Sequence, residues 1–253
     1  MPHSKLNDGQ VALGHPAGDA IRVKGLRKGF GDWPVLWDLD LTVGWGEFLV
    51  LFGANGTGKT TLLRVLATQA RPDAGTVTVA SYDSRRQPEA VRRRLGVVGH
   101  SHFLYENLTC RENLVFYGRL FGVRDPRQRA EEVLSRLDLA GRADHRVRTL
   151  SHGMQQRLAI ARAILHQPPL LLLDEPEAGL DQGSLAMLKD LLQEWNDTGR
   201  TVVMTTHNLD LGLAWAQRVA VLAEGKLHYP EAPNRRDLVG LPGMVATPRE
   251  GAR

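Results

Sequence analysis

Gly53-Ala54-Asn55-Gly56-Thr57-Gly58-Lys59-Thr60 follows the apolar run Phe48-Leu49-Val50-Leu51-Phe52 and precedes Thr61-Leu62-Leu63-Arg64-Val65-Leu66. The order is strand, glycine-rich loop, helix, which is the setting a phosphate-binding loop requires. Gly53, Gly56 and Gly58 let successive backbone N–H groups converge on one anion, because no Cβ blocks the approach. The helix that follows adds unpaired N–H groups and the positive end of its dipole. Lys59 supplies a mobile cation for the terminal phosphates, and Thr60 a hydroxyl for Mg²⁺. With Ala54, Asn55, Thr57 and Thr61 they form one stretch expected to hold a nucleoside triphosphate.

Working outward, the 253 residues are 42% hydrophobic, enough for one well-cored domain. The formal net charge of +4 fits a membrane-surface or nucleic-acid neighbour without requiring either. Arg85, Arg86, Arg92, Arg93 and Arg94 cluster, and their ordinary reading is a solvated helix face. Cys110 is the sole cysteine, so no intrachain disulfide forms, which suits a reducing compartment. No apolar stretch approaches the ~18 residues of a spanning helix, and no signal-peptide pattern opens the chain. A cytosolic chain whose membrane association comes through a partner is therefore expected.

Residues 1–19 read as a flexible tail and 230–253 as a mobile C-terminal tail. Between them, Ile21-Arg22-Val23 starts a strand, and residues 34–43 alternate like a strand pair with a short interruption. Residues 76–80, 95–98 and 219–223 are further strands, and 101–165 turn to helical periodicity. Leu170-Leu171-Leu172-Leu173 and Thr201-Val202-Val203-Met204-Thr205 suit central parallel strands, joined by a helix over 184–195.

The strand at 170–173 ends in Asp174-Glu175, on the carboxyl edge where such sheets bind ligands. Asp174 is placed to hold Mg²⁺, and Glu175 to orient and deprotonate an attacking water. The bland alternative, an acidic pair capping the next helix, is weak beside a phosphate loop.

Leu150-Ser151-His152-Gly153-Met154-Gln155-Gln156-Arg157 lies just before an expected helix over 158–165 and resembles the Leu-Ser-Gly-Gly-Gln signature of the ABC-type ATPases, with His152 and Met154 as departures. The resemblance spans 20–229 as an ABC ATPase domain and implies a P-loop α/β fold. That fold has a RecA-like parallel-sheet core, a small antiparallel β lobe and an inserted helical lobe, here about 101–165. It implies that Ser151 and Gly153 act in trans on ATP held by a second ATPase subunit, expected to be an identical chain. By the same resemblance Ala178-Gly179-Leu180-Asp181 looks like the D-loop, His207 like the switch histidine and Phe30 like the aromatic that stacks on adenine, with Trp33 as fallback. His100 stands where the family has a glutamine that touches Mg²⁺ or water, and its plain reading is a polar hinge residue. His100 and His102 lack a third ligand for a metal site.

The run Gly99-His100 through Leu108-Thr109-Cys110-Arg111-Glu112-Asn113-Leu114-Val115-Phe116-Tyr117-Gly118-Arg119-Leu120 is similar to the ATP-binding subunit of the cytochrome c biogenesis heme exporter. That implies ATP and Mg²⁺ as cofactors, transmembrane permease subunits as partners and a peripheral place on the cytoplasmic face. The surface near 103–121 is expected to dock a permease helix. Direct heme binding is not expected, since no Cys-x-x-Cys-His motif occurs, and neither is direct nucleic-acid binding. Alternatives are the ATPase of a drug, lipid or polysaccharide exporter, a soluble ABC protein acting on ribosomes or DNA, and a regulator that does not hydrolyse.

Overall fold

The computed structural model describes residues 18–230 and Leu238. The two expected tails fall outside the described residues apart from Gly18, Asp19, Pro230 and Leu238, the last of which is buried. In chain order the strands are β1 (Ile21–Phe30), β2 (Trp33–Val43), β3 (Phe48–Phe52), β4 (Ala74–Val79), β5 (Tyr82–Asp83), β6 (Leu95–Val98), β7 (Leu170–Asp174), β8 (Thr201–Thr205), β9 (Arg218–Ala223) and β10 (Lys226–His228). The helices are α1 (Lys59–Leu66), α2 (Pro88–Arg93), α3 (Cys110–Leu120), α4 (Pro126–Arg136), α5 (His152–Ile164), α6 (Gln182–Asp197) and α7 (Leu209–Trp215).

Strands without polar interruption need cover on both faces, and they form the central sheet. Its order is β10-β9-β3-β8-β7-β6, parallel throughout except where β10 returns on β9. Side chains alternate across it. Leu171 and Leu173 join the core under α3, α4, α5 and α6, while Leu170 and Leu172 join the core around α1. That second core also takes Ile21, Leu39 and Val79 from the antiparallel sheet β2-β1-β4-β5. Helix α1 thus lies in the core shared by the two sheets, which fixes the loop at its N-terminus. The expected α/β class, with a parallel core, an antiparallel β lobe and a helical insert, is the observed one.

Three local expectations are corrected. Residues 34–43 form one strand, not a pair: β2 runs unbroken beside β1, and the irregularity is Asp38 at φ 52 with register shifts against β1. The helical region starts at Cys110 rather than Ser101, because Thr109 and Glu112 close a reciprocal capping box there. Helix α5 begins at His152, ahead of the expected Leu158, because Ser151 caps it by accepting from the Met154 amide at 3.3 Å.

Candidate active site

Strand β3 delivers the chain to the loop 53–58. Gly53 (φ 154), Gly56 (φ 80) and Gly58 (φ 109) take conformations that side chains disfavour. Space forbids a side chain as well: a Cβ on Gly53 would stand 2.6 Å from the Leu222 carbonyl oxygen, and one on Gly58 2.9 Å from Leu36 and Val35 side-chain carbons. Asn55 and Gly56 form the exposed tip, while Thr57 bonds back to the Ala54 carbonyl at 3.0 Å. Lys59 is 6% exposed, and its ammonium donates to the Gly53 and Ala54 carbonyls at 2.6 and 3.0 Å. Burial lowers its pKa, opposed by the nearby charges of Glu175 and Asp174. Thr60 and Thr61 lie half-buried in the first turn of α1.

The carboxyl ends of β7 and β8 meet the same loop. Asp174 is buried, and its Oδ1 accepts from the Thr205 hydroxyl at 2.6 Å. Its Oδ2 lies 3.6 Å from His100 Nε2. Glu175 sits in the left-handed region at φ 51, a conformation costing on the order of 1–3 kcal/mol in a non-glycine residue. Its amide is pinned by the Thr205 carbonyl and hydroxyl, both at 3.1 Å. The turn aims its carboxylate at His207, with Oε1 to Nε2 2.6 Å.

Phe30 and Trp33 are cross-strand partners at the tip of the β1–β2 hairpin, 50% and 71% exposed. Lys28 lies 5.2 Å from the Phe30 ring centroid. Ser151 and Gly153 open α5, and among the described residues no hydrogen bond links them to the loop of Lys59. Gly153 and His152 pack instead on Gly179: a Cβ on Gly153 would meet the Gly179 carbonyl at 2.8 Å, and one on Gly179 the His152 ring at 2.5 Å. Asp181 caps α6 through the Ser184 amide at 2.8 Å, and that bond lowers its pKa. His100 and His102 diverge: His102 Nε2 lies 3.0 Å from Gln156 Oε1.

Three supporting residues escaped the sequence reading. Thr205 holds the Asp174 carboxylate and the Glu175 amide. Gln156 ties α5 to the Pro176 carbonyl at 2.9 Å. Glu177 takes a short hydrogen bond from Thr206, whose oxygen also accepts from the Asn208 amide at 3.0 Å, tethering the loop of His207. Burial raises the Glu177 pKa. The only signal in sequence is the pair Thr205-Thr206 closing an apolar strand.

The model for the family described as ABC transporter matches residues 36–178. The chain belongs to the ABC transporter family. The daunorubicin resistance ATP-binding protein DrrA3 of Streptomyces coeruleorubidus is 42% identical over 213 residues, covering 83% of this chain and 67% of that one. The ABC transporter ATP-binding protein NatA of Bacillus subtilis is 35% identical over 76% of this chain and 79% of its own. The Nod factor export ATP-binding protein I of a Rhizobium species is 38% identical over 82% and 69%. Among solved structures, the ATP-binding cassette MJ0796, a post-hydrolysis dimer bound to ADP and Pi, superposes with TM-score 0.77 at 28% identity, over 84% of this chain and all of that one. The protein is therefore an ABC transporter ATP-binding subunit and an ATPase. Among the described residues no helix is long and apolar enough to cross a membrane.

Proposed function

We propose that two copies of this ABC ATPase close head to tail on two MgATP and so drive a membrane permease. The observation that carries the catalytic reading is Glu175 held 2.6 Å from His207, at the edge that also presents Asp174 and buried Lys59. Glu175 takes a proton from the attacking water, whose oxygen bonds to the γ-phosphorus as the bond to the ADP oxygen breaks. His207 and the Thr205 bonds hold the base before the reaction, so little reorganisation is needed in the transition state. Lys59 and the loop amides neutralise the phosphates. Phe30 stacks on adenine. Ser151 and Gly153 reach the γ-phosphate of the partner chain, and Asp181 lies on the segment linking the two sites.

Mg²⁺ is held by one or two protein oxygens together with substrate phosphates, seldom by a dedicated cage. Thr60 and Asp174 supply that small, hard donor set, with His100 beside Asp174. Among the described residues no group of three or more His, Cys, Asp or Glu gathers into a cage, which suits a cation shared with the nucleotide. When bound, the ion offsets charge on the phosphates.

Glu175→Gln keeps the shape and removes the base. We expect it to bind ATP as tightly as the parent and to release phosphate about 10²–10⁴-fold more slowly. Phosphate release at the parent rate would remove Glu175 from this role.

For the cargo, the relatives named for daunorubicin resistance and Nod factor export support an exporter of drug, lipid or saccharide type. The heme-exporter reading is kept as a second one for a single observation: His100, in the Gly99-His100 run resembling that subfamily, faces Asp174. Purification with the permease in mild detergent, followed by a heme absorbance scan, separates the two. The expected site of action is the cytoplasmic face of the membrane.

A further inference from the structure

The proposed chemistry employs Asp174 and Glu175 and gives no task to Glu177, the third acid of the same turn. Glu177 is half-buried. Its Oε1 accepts from the Thr206 hydroxyl, while its buried Oε2 has no hydrogen-bond partner among the described residues. Burial raises its pKa, and the charges of Glu175 and Asp174 act in the same direction. A carboxylate so placed disfavours the folded chain, so packing alone does not account for a glutamate here.

What Glu177 touches is the mount of His207. Thr206 is fully buried just beyond the end of β8. Its hydroxyl donates to Glu177 and accepts from the Asn208 amide at 3.0 Å. Asn208 in turn caps α7, its Oδ1 accepting from the Leu211 amide at 3.0 Å. His207 lies between these two fixed residues. Its side chain is 42% exposed, so the backbone on either side, more than packing, decides where its Nε2 meets Glu175. Glu177 is itself held at both ends. The Pro176 carbonyl accepts from Gln156 of α5 at 2.9 Å, and the Glu177 carbonyl accepts from the Leu180 amide at 3.1 Å. The Glu177 side chain therefore ties the turn after β7, which carries Glu175, to the turn after β8, which carries His207.

We propose that Glu177 is a positioning residue for ATP hydrolysis, which through Thr206 fixes the turn that presents His207 to Glu175. This rests on the reading of Glu175 and His207 as the working pair and adds the residue that sets their geometry. Misplacing a catalytic group by about 1 Å can cost on the order of 10²-fold in rate. ATP itself is held by the loop of Lys59 and by Phe30, away from this bond. Loss of the bond therefore lowers kcat and spares KM.

The test is steady-state phosphate release by the full chain over a titration of ATP, with cooperative thermal unfolding checked for each variant. Glu177→Met fills similar space without the acceptor, and Thr206→Val keeps the shape of Thr206 without its hydroxyl. Each should lower kcat about 10-fold or more and leave KM for ATP within about twofold of the parent. Glu177→Gln retains an acceptor oxygen and should keep kcat within about threefold of the parent. The double variant Glu177→Met/Thr206→Val should be no slower than Thr206→Val alone, because both changes break one bond. Parent kcat in Glu177→Met, a raised KM with kcat unchanged, or losses that multiply in the double variant overturn the proposal. Where Glu177→Met does not fold, equal kcat in Glu177→Gln and Thr206→Val overturns it instead. Glu175→Gln at the parent rate overturns the catalytic reading beneath. A slow Glu175→Gln beside a Glu177→Met at the parent rate overturns the positioning role alone.

Discussion

Asp174 and Glu175 are neighbours in sequence but stand in different surroundings. Asp174 closes a strand, buried and clamped by Thr205. Glu175 has left the strand through a left-handed turn and faces His207. In the proposed function one carboxylate is thereby fixed for a cation and the other presented to a reacting water. Lys59 completes the set, its ammonium drawn among backbone carbonyls and close enough to feel both acids. Lys59→Ala removes the only side-chain cation of the loop. It should weaken ATP binding by about 10-fold or more in equilibrium titration, a loss of at least ~1.4 kcal/mol; unchanged affinity would detach Lys59 from the phosphates. These residue types were legible from sequence, because glycine-rich loops and strand-end acids carry their chemistry in their spacing. The Thr205, Gln156 and Glu177 contacts were not, since each joins elements distant in the chain.

At the scale of elements, apolar or β-branched runs announced β3, β7 and β8, because a strand covered on both faces suits such composition. The interruption at 38 misled, since a positive φ inside a paired strand leaves the same polar break as a turn. The start of α5 was misplaced because Ser151 reads as a ligand residue and as a cap at once, and it is the cap in this structure. Thr109→Ala removes half of a reciprocal cap on α3 and should cost roughly 0.5–2 kcal/mol in denaturant unfolding. His166 gives a pH dependence. Burial lowers its folded pKa to about 4 from the ordinary 6.5, so between these values the unfolded chain binds the extra proton. Stability is therefore whole above pH 6.5 and falls, by a few kcal/mol at most, as the pH drops towards 4. His166→Phe keeps a ring on Phe121. It should show a shallower fall over that window in chemical denaturation, and an unchanged slope would contradict the assignment.

On the scale of the molecule, His152 and Gly153 of the signature open α5 and lean on Gly179 of their own chain, and among the described residues no hydrogen bond joins the signature to its own phosphate loop. The site is completed, in the account proposed here, only by a second copy. Ser151→Arg in one chain and Lys59→Ala in the other should each be inactive alone. Mixing them assembles one intact composite site and should restore measurable phosphate release; mixtures as inactive as the parts would argue against action in trans. Fold and family were legible because the motifs sit in one order on one sheet. The cargo was not, because relatives of similar sequence carry the names of different cargoes. The similarity to daunorubicin-resistance and Nod factor export proteins draws that assignment from heme towards other exported molecules.

The most direct test of the central claim is the sedimentation of Glu175→Gln with and without MgATP. The account predicts a monomer without nucleotide and, with MgATP, a stable dimer that retains two ATP per two chains. A chain that stays monomeric at saturating MgATP would contradict it.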